Sequence, residues 1–260
     1  MPDRLHDFIA EARRNVTAAR TASRARDLEK QARDHRPRGF KRALVERSQS
    51  GTAVIAELKK ASPSKGLLRA EFDPASLAAE LEAAGATCLS VLTNEPHFQG
   101  SLRNLTLASQ AVKIPCLRKD FIVDAIQVVE ARAHGADAIL LIVAVLQDKE
   151  LRDLHDEAKA LGLDVLCEVQ QRDEMKRAAD LGFDLIGVNN RDLHTFHVDM
   201  ENSLRFIEDF PLNAFRVAES GIDSPQTIQR LKAAGYQAFL VGERLMRSDS
   251  PGDTLRELLA

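Results

Sequence analysis

One pattern of apolar and polar positions recurs along this chain. A stretch rich in alanine and leucine, with helical spacing, closes on a glycine, and a short run of almost wholly apolar residues follows. LEAAGATCLSVL, ARAHGADAILLI, AKALGLDVLCEV, AADLGFDLIGV and LKAAGYQAFLVG all read this way, with Gly85, Gly135, Gly162, Gly182 and Gly235 at the joint. Glycine suits the left-handed position that ends a helix. A run that is apolar at nearly every position suits a strand covered on both faces, and such strands belong to parallel sheets. The phrase therefore predicts a helix, a tight turn and a buried strand, repeated.

Extended along the chain, the same reading places strands at 52–58, 87–92, 115–119, 137–142, 163–168, 184–188, 215–219 and 238–241. Helical periodicity lies between them at 74–84, 101–112, 124–134, 147–160, 170–181, 199–209, 224–234 and 244–259. Asp73-Pro74 and Ser224-Pro225 are N-cap and first-turn signals. Strands alternating with helices in this number predict an α/β fold, a closed (βα)8 TIM barrel. A doubly wound open sheet is the alternative, but no GxGxxG follows the first strand. Residues 1–48 stand outside the repeat. Leu5, Phe8 and Ile9 have helical spacing there, which predicts an extra helical segment packed on a single barrel domain spanning 1–260. Asp3, Asp7 and Glu11 argue against a transit peptide. HRPRGF then leads toward the first strand.

Size and charge narrow the classes. The 260 residues fit one barrel, which runs to ~250. A net charge of −3 gives no reason to expect a nucleic-acid partner. No apolar stretch reaches the ~18 residues of a membrane span and no leader segment is expected, so a membrane partner is not expected either. The three cysteines, Cys88, Cys116 and Cys167, fall inside apolar strand runs without CxxC spacing. They predict reduced core thiols and a cytoplasmic location. An oligomeric partner is not implied.

In barrels of this kind the chemistry sits at the carboxyl ends of the strands. Charged residues interrupt the apolar runs at those ends. Glu57 and Lys59 are two apart and share a side of strand 1. Lys119 stands in LRKDF beside Arg118 and Asp120, and Glu168 in LCEV. Asn189 and Arg191 share parity in GVNNRD, and Glu219 ends strand 7 in AESG. Facing Glu168 and Lys119 inward turns Cys167 and Cys116 toward the helices. So many charges gathered on one rim must be paired or neutralised, which points to a functional site. Ser220-Gly221 and Gly242-Glu243 follow strands 7 and 8, where backbone N–H groups of many barrels cradle a phosphate. Ser62, Ser64 and Lys65 after strand 1 could close over a ligand. Lys119 alone would also suit a Schiff base, but a second lysine and three carboxylates suggest acid–base work. His194 and His197 form HxxH with no third metal ligand nearby in sequence.

These residues carry a resemblance. IAELKKASPSKG, SVLTNEPHFQGS, LRKDFI, LCEV, GVNNRDLHTF, AESGI and VGERLM occur in the order found in the indole-3-glycerol-phosphate synthase family. AESGI is shared with other phosphate-binding barrels, but the joint set is specific. The resemblance implies a tryptophan-pathway carboxy-lyase that acts on a small sugar phosphate, 1-(2-carboxyphenylamino)-1-deoxyribulose 5-phosphate. The indole ring closes with loss of CO₂ and water, and no metal or organic cofactor is required.

Within that resemblance Lys119 is the general acid at the ketone oxygen and Glu168 the base of the dehydration. Glu57 stabilises the cationic intermediate, and Lys59 binds the substrate's anionic groups. Which lysine serves which step stays open. Asn189 and Arg191 position hydroxyls or the carboxylate. Glu219 and Ser220 complete the pocket. Backbone groups at Ser220, Gly221, Gly242 and Glu243 hold the phosphate. Asn94, Gln170 and Arg244 depart from the residues commoner in the family, and none removes a catalytic side chain. Two other functions compete. A phosphoribosylanthranilate isomerase would need an acid–base cysteine and aspartate at strand ends, and no cysteine stands at one. A non-catalytic phosphate binder would not need Glu57, Lys59, Lys119 and Glu168 together.

Overall fold

The computed structural model describes residues 4–19 and 22–260. Its centre is a closed barrel of eight parallel strands. They are β1 (Ala53–Leu58), β2 (Cys88–Leu92), β3 (Cys116–Lys119), β4 (Ala138–Ile142), β5 (Asp164–Val169), β6 (Leu185–Asn189), β7 (Phe215–Glu219) and β8 (Ala238–Val241). Each strand pairs with its neighbours in sequence, and β1 closes on β8 with Ala53 beside Ala238. The architecture is the (βα)8 barrel that the apolar runs predict, and each strand lies within a residue or two of its expected place.

The joint glycines behave as the pattern requires. Gly85, Gly135, Gly162, Gly182 and Gly235 all adopt positive φ, from 70° to 112°. Each lets a helix end and the next strand begin within a few residues. Cys88, Cys116 and Cys167 are free, buried thiols. Burial pushes the Cys116 thiol up to about 12, so it is inert at neutral pH.

Three local expectations differ from the structure. The helical stretch 244–259 is two helices, Glu243–Met246 and Pro251–Leu259, because Pro251 fits a first turn and not a helix interior. The stretch 199–209 is helical only over Glu201–Phe206 and then tightens into a 3-10 turn at Ile207–Asp209. The segment before β1 holds three helices, α1 (Arg4–Ala19), α2 (Ala22–Asp34) and α3 (Phe40–Ser50), so a helix stands between HRPRGF and the first strand. Asp3 lies outside the described residues.

These helices grip the barrel at both ends. α1 buries Leu5, Phe8, Ala12 and Val16 along one face. Its Phe8 ring centroid lies 3.9 Å from that of His97, in the short helix Glu95–Phe98 after β2, and 5.5 Å from that of Phe121, in the loop after β3. At the opposite end Asp137, just before β4, is fully buried. It accepts hydrogen bonds from the Arg38 backbone N at 2.6 Å, Arg38 Nη2 at 2.6 Å and Cys116 N at 2.7 Å, and His35 Nε2 lies 3.2 Å away. Burial alone would raise its pKa, but the His35 and Arg38 bonds hold it below the ordinary value. The RPRG turn is thus clamped under the barrel by one carboxylate.

Removing that carboxylate leaves the Arg38 charge with only neutral acceptors, the Ser109 and Val112 carbonyls among them, and the buried Cys116 N–H without its acceptor. Asp137→Ala is expected to cost ~3 kcal/mol in urea unfolding at pH 7. A depressed carboxylate stabilises the fold above its unfolded pKa, and that stability is lost as pH falls through the folded value. The deficit relative to the parent therefore narrows below pH 3.8, the carboxyl's ordinary value. A deficit that stays constant down to strongly acid pH contradicts the assignment.

Candidate active site

The strand ends deliver the charged residues to one place. Glu57 points inward from β1, Lys119 from β3, Glu168 from β5, Asn189 from β6 and Glu219 from β7, and all line one cavity of about 950 Å³. Lys119 Nζ donates to Glu168 Oε2 at 2.9 Å and to Glu219 Oε2 at 2.6 Å. Glu168 Oε1 accepts from Asn189 Nδ2 at 2.9 Å. Lys59, one residue past β1, donates to Glu57 Oε2 at 2.5 Å. Two lysines and three carboxylates thus form two adjoining ion-paired groups, and the three carboxylates are almost fully buried.

Burial penalises the Lys119 charge, but Glu168, Glu219 and Glu57 outweigh it and raise the ammonium well above the ordinary lysine value. Lys119 is therefore charged at neutral pH. Burial pushes Glu219 the other way. Lys119 opposes that push, the Glu168 and Glu57 carboxylates reinforce it, and the Glu219 carboxyl lies at about 7. Its Oε1 has no hydrogen-bond partner among the described residues. This is a carboxyl able to hold or release a proton near neutrality.

The loops above supply the rest. Arg191 joins three of them: Nη2 reaches Glu243 Oε2 at 3.2 Å, and Nη1 reaches Ser64 Oγ at 3.3 Å and the Phe196 carbonyl at 3.2 Å. Its backbone N–H donates to Asn189 Oδ1 at 2.9 Å, so both ends of the Asn189 amide are engaged. Ser220 and Gly221 follow β7 with φ of 66° and 76°. A left-handed serine is strained, and such strain gathers at ligand sites. A side chain on Gly221 would strike Val198 Cγ1 at 2.7 Å, so glycine is needed there for space as well. Gly242 makes room for Glu57, whose Cδ lies 3.0 Å from where a Cβ would stand. The loop after β1 folds back as a hairpin of Ala61–Ser62 and Gly66–Leu67. It brings Ser62, Ser64 and Lys65 to the cavity, and Ser62 Oγ is buried with no partner among the described residues.

The acid–base, carboxylate-binding and phosphate-binding residues expected from the sequence all line this cavity, whereas Arg118, His194 and Gln170 do not. The sequence reading missed its apolar wall. Leu92, Phe98, Phe121, Leu140, Leu193 and Phe196 line the cavity beside the charges. Phe98 and Phe121 stand inside the matched phrases, but aromatic residues in loops are not marked by periodicity. Asn190 was also missed. It faces away from the cavity and donates to the Ser220 carbonyl at 3.2 Å, tying β6 to the turn after β7. Arg118 turns outward as parity requires, bonding the Gln127 carbonyl at 2.7 Å and Asp120 Oδ2 at 3.1 Å.

The departures from the family are absorbed locally. Asn94 caps the short helix Glu95–Phe98, accepting from His97 N at 3.2 Å as an aspartate would. Gln170 accepts from Leu193 N at 3.4 Å, and Arg244 lies 3.9 Å from Glu257. His197 lines the cavity. Among the described residues no group of three or more His, Cys, Asp or Glu is placed to hold a metal ion.

Comparison with known proteins places the chain in a family. Residues 5–258 match the sequence profile of the family described as Indole-3-glycerol phosphate synthase. An indole-3-glycerol phosphate synthase of Koribacter versatilis (strain Ellin345) is 67% identical over 259 residues, covering 100% of both chains. One of Burkholderia ambifaria (strain MC40-6) is 49% identical over 261 residues, covering 99% of each. The fold is shared more widely. A thiamine phosphate pyrophosphorylase from Pyrococcus furiosus superposes with a TM-score of 0.59 at 16% identity, covering 82% of this chain and 95% of its own. KGPDC from Streptococcus mutans gives 0.62 at 8% identity, with 80% and 96% covered. Those two likenesses speak to the barrel alone, whereas the full-length matches speak to the family. With the charged cluster, the loops that surround it and these relatives all in agreement, the chain belongs to the indole-3-glycerol phosphate synthase family.

Proposed function

We propose that this cavity closes the indole ring of 1-(2-carboxyphenylamino)-1-deoxyribulose 5-phosphate, with the strand-end residues in the following roles. The observation that carries the reading is Lys119, charged and held between Glu168 and Glu219 in a cavity also lined by Ser220, Gly221, Gly242 and Glu243. Backbone groups of Ser220, Gly221, Gly242 and Glu243 hold the phosphate. Arg191 and Lys59 meet the hydroxyls and the carboxylate, and Ser62 Oγ adds a donor. The apolar wall receives the aromatic ring.

The steps follow from that seating. The ring carbon bearing the carboxylate attacks the ketone carbon, and Lys119 gives its proton to the ketone oxygen. The ring is left cationic, with Glu57 and its neighbours stabilising it. The bond to the carboxylate breaks, its electrons return to the cationic ring, and CO₂ leaves. Glu168, oriented by Asn189, then takes a proton as the new hydroxyl departs as water. Lys59, held by Glu57, stands as the second proton donor for that step. The electron sink is the substrate's own ring. Glu219 keeps Lys119 in place and completes the pocket.

The chain is read as one barrel unit with the helices of 4–50 as its cover. Its buried free thiols fit a cytoplasmic enzyme. No helix among the described residues is long and apolar enough to cross a membrane.

Lys119→Ala and Glu168→Gln are each expected to lower kcat by about 10³-fold, the range general acid–base groups supply, with circular dichroism unchanged. Turnover retained in both variants contradicts the roles. A second expectation concerns Glu219. Carbon NMR of protein labelled at glutamate carboxyls should show one carboxyl titrating near 7, lost in Glu219→Gln. A spectrum with every carboxyl fully ionised by pH 6 contradicts the raised Glu219 carboxyl.

A further inference from the structure

The interior of a small barrel is normally filled by side chains projecting inward from every strand. Gly187 leaves a gap in that filling. It stands on β6 in register with Glu168 of β5 and Val217 of β7, so it faces the interior as Glu168 does. Glycine weakens a strand interior, so its presence calls for a reason. Backbone conformation is not that reason, since Gly187 is absent from the positive-φ glycines. Space is. A Cβ built on Gly187 would lie 3.1 Å from Glu219 Cδ and in hard overlap with Glu219 Oε1, with Leu166 Cδ1 at 3.3 Å on another side.

Glu219 itself starts one layer higher, in register with Asn189. Its carboxyl descends over Gly187 and so comes level with Glu168. That descent allows Lys119 to reach both carboxylates, at 2.9 and 2.6 Å.

We infer that Gly187 is a positioning residue: the volume of its missing side chain is the seat of the Glu219 carboxyl, and it sets where Glu168 and Glu219 meet on Lys119. The inference rests on the reading of Glu219 and Lys119 as members of the reacting site. A methyl group at Gly187 collides with the far end of one side chain and with no backbone atom. The strand therefore keeps its pairing while the carboxyl moves toward the rim.

The test compares Gly187→Ala in two backgrounds. In the parent, it is expected to lower kcat about 100-fold, as a misplacement near 1 Å does, with KM within about 3-fold and an unchanged thermal transition. In Glu219→Asp, whose carboxyl is one methylene shorter and withdrawn from the seat, adding Gly187→Ala should cost less than about 3-fold. Parent-like kcat in Gly187→Ala overturns the inference, and so does an equal loss in both backgrounds, which is what a merely structural role gives. Should the single variant fail to fold, a further loss above about 10-fold on adding Gly187→Ala to Glu219→Asp also overturns it. Glu219→Gln separates the two failures. Full kcat there removes Glu219 from the site and the inference with it, while an impaired Glu219→Gln beside a fully active Gly187→Ala overturns the inference alone.

Discussion

One shared cation governs the interior of this barrel. Glu168 and Glu219 are buried where an isolated carboxylate would cost several kcal/mol, and Lys119 reaches both within hydrogen-bond distance. Take the lysine away and the carboxyls must protonate or turn outward. Take the carboxylates away and the lysine loses its charge to burial. The three residues come from β3, β5 and β7, separated by 49 and 100 positions along the chain. Only closure of the sheet into a barrel, with each strand in its register, brings both carboxylates within 3 Å of the ammonium. The charged cluster and the closure of the fold are therefore linked through a single ammonium.

The two ends of the barrel divide the labour. At the amino end Asp137 gathers Arg38, His35 and the Cys116 N–H, and so fastens the turn before α3 beneath the strands. Those contacts are short, buried and far from the cavity, as suits stability. At the carboxyl end the residues are carried on strand tips and loops that meet around the cavity. Arg191 joins the loops after β1, β6 and β8. Phe8 of α1 packs behind the loops after β2 and β3. The helices before β1 thus touch both the stabilising end and the reacting end.

Much of this was legible in the sequence, for definite reasons. Helix, glycine and apolar strand repeat with a period of their own, so the barrel follows from local propensities that agree with the global fold. Charged residues at the ends of apolar runs stood out because burial makes them costly, and Glu57, Lys119, Glu168 and Glu219 were found on that ground. What stayed hidden depends on contacts that sequence spacing does not encode. The aromatic wall comes from Phe98, at the end of a one-turn helix, and from Phe121 and Phe196 in loops, none of them on a long periodic element. Asn190 works outward, from the face where no chemistry was sought. The break at Pro251 is visible locally, yet the surrounding helical pattern masked it. The paired charges of Lys119 could be listed from the strand ends, but not their partners or their distances. The role of Gly187 is volumetric, and an absent side chain leaves no mark in a pattern of polar and apolar positions.

The central claim is that this cavity converts its substrate by acid–base chemistry alone. The most direct measurement mixes the purified protein with 1-(2-carboxyphenylamino)-1-deoxyribulose 5-phosphate in the presence of EDTA and follows indole fluorescence, with released CO₂ measured in parallel. The account predicts that fluorescence rises and that one CO₂ appears per indole formed. Substrate that binds while fluorescence stays flat would contradict it.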